Sequence, residues 1–119
     1  MKSGIYLEDF KDIKSLIENF SIDENTLDNK EIILALYNQP SYEGYAFVLF
    51  KENGLFYEVN GSHCSCYGLE DQWLPELIGD EDRLKEYLKH LGNICYTDIN
   101  AYELLFNNKD EIVLNFNDL

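Results

Sequence analysis

The alternation of apolar and polar residues cuts the chain into short segments of different period. Over residues 6–20, Leu7, Phe10, Ile13, Leu16 or Ile17 and Phe20 recur at helical spacing, with Glu8, Asp9, Asp12 and Lys14 between them. This pattern predicts an amphipathic helix with Ser3 as its candidate cap and first-turn acids at the positive end of its dipole. Residues 21–30 are polar and read as a connection; the glycine and ligand pattern of an EF-hand loop is missing from them. Residues 31–37 (EIILALY) form an apolar run of strand length, and 38–44 collect the loop-forming residues. Residues 45–51 (YAFVLFK) predict a central strand buried on both faces. Asn53-Gly54 follows at once and predicts a tight hairpin, because both central positions of a type I′ turn need positive φ. The return strand, 55–60, places Leu55, Tyr57 and Val59 on one face and Phe56, Glu58 and Asn60 on the other.

Beyond this meander lies 60–73, NGSHCSCYGLEDQW, a poor strand and a poor helix that reads as a structured loop. Pro75 and Gly79 punctuate 74–78, read as a turn of helix. Residues 80–91 carry a complete helix signature. Gly79 or Asp80 is the cap, Asp80, Glu81 and Asp82 fill the first turn, and Leu84, Tyr87, Leu88 and Leu91 form the stripe. Lys89 and His90 occupy the last turn, with Gly92 placed for a left-handed cap. In the remainder, 99–106 is a short helix candidate and 111–116 (EIVLNF) a strand candidate. The expected architecture is a single α+β domain over 1–119: an antiparallel meander of three to four strands with helices packed on one side.

Composition narrows the function. At 119 residues and 45% apolar content, the chain suits one well-cored domain. There is no membrane-length apolar run and no secretory signal, and the odd count of three cysteines fits a reducing, cytoplasmic setting. Twenty-three acidic residues stand against 9 basic ones, a net of −14. That balance excludes neutralisation of a nucleic-acid backbone and disfavours an anionic membrane. It points instead to a protein partner with a basic groove, unless the acids serve solubility alone.

Candidate chemistry centres on the loop. Cys64, Cys66, His90 and Cys95 supply a Cys₃His inventory of the kind zinc favours, although a C-x-C half is rarer than the usual knuckle. The alternative reading makes the cysteines small buried side chains and His63 a hydrogen-bonding loop residue. Thiol catalysis lacks a stabilising field, since His63 and Cys64 point to opposite sides of an extended segment amid acids. No phosphate-binding glycine loop is present. Glu70, Asp71, Glu76, Asp80, Glu81 and Asp82 form a run of acids without a base, with Trp73 as an exposed aromatic among them. The loop also admits a structural reading, with turns at Gly61 and Gly68, Trp73 plugging a core end, and Ser62, Ser65 and Gln72 satisfying backbone groups.

The run 45–75, in which Y-E-V-N leads through S-H-C-S-C to Q-W, resembles a group of small bacteriophage and prophage proteins. The resemblance implies a phage setting. By analogy with anti-CRISPR and anti-restriction proteins, it implies counter-defence through a carboxylate-rich surface that occupies a nuclease's nucleic-acid groove. The expectation is therefore a non-enzymatic, cofactor-free inhibitor of a host nuclease system, acting through Glu70, Asp71, Trp73, Glu76, Asp80, Glu81 and Asp82. The alternatives are a zinc module and a binder of a small signalling nucleotide at the His63 loop.

Overall fold

The strand whose interior lacks a polar face, β3 (Gly44–Glu52), lies at the centre of the sheet, as its two-sided apolar pattern requires. Ala46, Val48 and Phe50 face one side and Phe47 and Leu49 the other, all of them buried. The computed structural model describes residues 1–65 and 67–107. In chain order the other elements are β1 (Ile5–Glu8), α1 (Ile13–Phe20), a 3-10 turn (Glu24–Leu27), β2 (Glu31–Asn38), β4 (Leu55–His63), β5 (Glu76–Gly79), α2 (Glu81–Leu91) and α3 (Ala101–Phe106). They build one α+β domain around a sheet of order β1-β2-β3-β4-β5.

The antiparallel meander is present as β2–β3–β4. Its hairpin turns at Asn53 (φ 53°) and Gly54 (φ 80°), the two positive angles that a type I′ turn demands. Among the described residues the sheet is larger than the pattern predicts, with five strands in place of three or four, and mixed, because β1 runs parallel to β2. Both additions are edge strands of four residues. The predicted helix over 6–20 is in fact β1 followed by α1. Glu8 at φ 58° ends the strand, and Asp12 starts the helix in a capping box with Ser15, whose amide donates to Asp12 Oδ1 at 2.9 Å. Leu7 and Phe10 fit a helical stripe by spacing, yet they belong to opposite faces of the sheet. The predicted helical turn over 74–78 is likewise a strand, β5, paired with β4 through Tyr57↔Leu77 and Glu58↔Glu76.

The helices cover both faces, not one. Phe10, Leu16, Phe20 and Leu27 pack with Ala35, Val48, Phe50 and Val59 on the first side. Leu84, Leu88, Ala101 and Leu105 pack with Leu34, Leu36, Phe47, Leu49 and Phe56 on the second. A strand apolar on both faces needs two covers, so one helical layer would have left half of β2 and β3 wet. A bulge in β2 shifts its register between Ile32 and Leu34, and Ile33 and Leu34 consequently share the α2–α3 side. Helix α2 follows its signature at its start, with Asp80 Oδ1 accepting from the Arg83 amide at 3.0 Å. It ends at Gly92, whose φ of 76° and ψ of −147° place it outside the left-handed helical cap that was expected. Helix α3 matches the expectation over 99–106, whereas the strand expected over 111–116 lies outside the described residues.

Candidate functional site

The loop from 64 to 75 leaves the end of β4 and returns as β5, and its motif residues are spent on holding it there. Gln72 is the clip. Its Oε1 accepts from the Ser62 amide at 2.8 Å, and its Nε2 donates to the Ser62 carbonyl at 2.9 Å and the Gly68 carbonyl at 3.0 Å. One side-chain amide thereby reproduces the paired bonds a neighbouring strand would have made to β4. Leu69, 1% exposed, lies directly over Gly61, where a Cβ would come within 2.8 Å of its Cδ2. The glycine is needed for close approach.

His63 is the second fastening. Its Nδ1 lies 2.7 Å from the Cys64 carbonyl, which can only accept, so Nδ1 carries the proton. Nε2 then accepts from the Tyr37 hydroxyl at 2.5 Å. The imidazole sits against Gly44, its register partner in β3, where a Cβ would collide with the ring. Burial, followed by Asp9 and Glu70, raises the Tyr37 pKa, which keeps the hydroxyl a donor. Rings then touch in sequence from Tyr37 to Phe10, Phe20, Trp73 and Phe50. Trp73 meets Phe20 edge-on at 5.2 Å and stacks on Phe50 at 5.8 Å. His63 and Trp73, near the two ends of the motif, are therefore joined through the core, and Trp73 is partly buried against that core where an exposed aromatic was expected.

The acids divide by position. Glu70 accepts from the Gly68 amide at 3.0 Å, and Asp71 occupies the left-handed region at φ 65°, so both belong to the loop on the α1 side. Glu76 lies on the edge strand, Asp80 caps α2, and Glu81 and Asp82 fill its first turn. A shallow groove of about 610 Å³ runs between β5 and α2. Leu77, Ile78 and Tyr87 form its apolar part, and Glu58, Asp80, Asp82 and Glu86 surround the single base Arg83 among its lining residues. Leu77 is 60% exposed. The Tyr87 hydroxyl donates to Glu58 Oε1 at 2.7 Å, and burial together with this bond pushes its pKa upward. The fold thus brings Asp80 and Asp82 to one groove beside Glu76 and sets Glu70, Asp71 and Trp73 apart from it. Glu58, Leu77, Glu86 and Tyr87 escaped the sequence reading. The available signals were the polar outer face of β4 and the one-turn spacing of Arg83, Glu86 and Tyr87 on α2.

Among the described residues, no cluster of three His, Cys, Asp or Glu side chains could hold a metal ion. Of the zinc set, Cys66 lies outside the described residues. Cys64 is exposed in the loop, His90 is exposed at the end of α2 with Nδ1 2.8 Å from the Glu86 carbonyl, and Cys95 packs on the α2–α3 side. Burial pushes the Cys95 thiol up to about 12, which opposes the thiolate that a metal would need. Leu69 on Gly61 and His63 on Gly44 fill the space where the loop leaves β4, while an open cavity of about 430 Å³ lies between its second half, at Asp71, Trp73 and Leu74, and the 20–26 segment. No helix among the described residues is long and apolar enough to cross a membrane. No protein-family model matches the chain, and neither does any curated protein or solved structure.

Proposed function

We propose that the chain is a non-catalytic binding protein that inserts its acidic β5–α2 rim into a basic groove of a protein partner, a nuclease of a host defence system. The observation that carries this reading is the groove of Glu58, Asp80, Asp82 and Glu86 around an exposed Leu77, on a chain of net charge −14. Carboxylates at this rim steer a basic partner and set its register, while Leu77 and Tyr87 supply apolar area to be buried. The phage resemblance of the 45–75 run supplies the biological setting. The contact set expected from sequence is reduced accordingly to Glu76, Asp80, Glu81 and Asp82, joined by Glu58, Leu77 and Glu86. The test is affinity capture from bacterial host extract with the native chain and with a Glu76→Lys, Asp82→Asn, Glu86→Lys variant. A basic nuclease that the native chain retains at low salt and the variant loses supports the proposal. Capture that survives high salt and ignores the substitutions contradicts it.

A further inference from the structure

Three loops meet at the end of the sheet opposite the Asn53-Gly54 turn. The 39–43 loop leads into Gly44, which pairs with His63 immediately before the 64–75 loop. The 92–100 loop is drawn to the same end, because Asn38 Nδ2 donates to the Cys95 carbonyl at 2.9 Å and the Tyr96 ring lies 4.5 Å from that of Tyr45. Each loop holds one tyrosine out in water: Tyr42 is 80% exposed, Tyr67 74% and Tyr96 82%. Among the described residues these are the most exposed of the large apolar side chains. Gln39 Nε2 donates to Asp9 Oδ2 at 2.8 Å, Gln72 clips the second loop, and Thr97 Oγ1 donates to the Ile94 carbonyl at 2.6 Å in the third. By these bonds the first two loops are tied to the body of the fold and the third to itself, and rings on a fastened loop lose little conformational entropy on binding.

We infer that this tyrosine-bearing end is a second docking surface, separate from the β5–α2 groove, and that it takes an arginine-bearing protein segment. Charge complementarity sets the chemistry. The three loops contain no lysine or arginine, while Glu43, Glu70 and Asp98 lie within them; Asp71 faces the 20–26 segment instead. Guanidinium planes stack on tyrosine faces and pair with carboxylates, two interactions available together here. A compact ammonium gains less from the same rings. Single-stranded nucleic acid also stacks on tyrosines, but these carboxylates repel its phosphates. Because the groove and this end share none of these residues, the inference stands apart from the function proposed above.

The experiment is an NMR titration of the labelled chain with a short, unstructured arginine–glycine peptide, alongside its lysine counterpart and a single-stranded oligonucleotide. The expected result is shifts concentrated on the amides around Tyr42, Tyr67 and Tyr96, with weaker binding of the lysine peptide. A Tyr42→Ser, Tyr67→Ser, Tyr96→Ser variant that keeps its native spectrum should bind the arginine peptide about tenfold more weakly or worse. Charge substitutions at Glu76 and Glu86 should leave this binding in place even if they abolish capture of a nuclease. Absence of binding, shifts confined to the β5–α2 groove, equal binding by the serine variant, or a preference for the oligonucleotide would each overturn the inference.

Discussion

The loop corner and the acidic rim are successive stretches of chain with opposite economies of interaction. In the corner, polar side chains are turned on the protein itself: Gln72 closes onto Ser62 and Gly68, His63 bridges Tyr37 and Cys64, and Trp73 fills a place between Phe20 and Phe50. Along the rim, Glu76, Glu81 and Asp82 remain in water, and Leu77 is left largely uncovered. A residue that satisfies its neighbours is tied to stability, whereas one left open is available to a partner. Apart from the exposed Tyr67, the unusual composition of the motif therefore marks a scaffold, and the plainer acidic stretch after it carries the proposed function.

Substitutions separate the two regions by size of effect. Trp73→Ala removes the ring between Phe20 and Phe50 and should destabilise the fold by about 3 kcal/mol in chemical unfolding, the largest loss expected. Gly44→Ala drives a methyl group into the His63 ring and should cost about 2 kcal/mol, with a change in the His63 ring signals by NMR. Gln72→Ala opens the clip and should cost about 1–2 kcal/mol, less than three buried bonds would, because water reaches the freed Ser62 groups. Hydrogen exchange at Ser62 should quicken in the same variant. Rim substitutions at Glu76 and Glu86 should move the unfolding free energy by no more than about 0.5 kcal/mol.

Stability should also fall at alkaline pH. The folded state holds the Cys95 proton up to about 12, against an ordinary value of 9.0, because burial penalises the thiolate. The Glu43 carboxylate, hydrogen-bonded to Tyr45, likewise pushes that phenol from 10.0 to about 12. Between these values the unfolded chain binds fewer protons than the folded one, so stability is full below pH 9 and declines as the pH rises towards 12. Cys95→Ala should flatten the early part of that decline in unfolding curves taken across the range. At neutral pH, iodoacetamide should label exposed Cys64 well before Cys95.

Local signals were legible wherever one residue type meets one backbone demand. Asn53-Gly54 specified its turn, and Asp80, the acids of the first turn and Gly92 delimited α2. The edge strands were not legible, because four residues are too few to separate a period of 2 from one of 3.6. Leu7 and Phe10 matched the helical spacing although Glu8 breaks the chain direction between them. The second helical layer was implied by the two-sided burial of β3, a consequence that reading each segment alone does not bring out. In the site, Gln72 and Ser62 were identifiable as candidates for satisfying backbone groups. Their mutual pairing, and the fit of Gly44 to His63, depend on strand register and are invisible to linear spacing.

The division of labour is tested most directly by measuring, on one variant, both unfolding and binding. Glu76→Lys, Asp82→Asn, Glu86→Lys leaves the Asp80 cap, the Gln72 clip and the Trp73 stack intact. This variant should remain folded within about 1 kcal/mol of the native stability and bind the captured basic partner at least about tenfold more weakly at low salt. Native-strength binding by that variant, undiminished at high salt, would contradict that division.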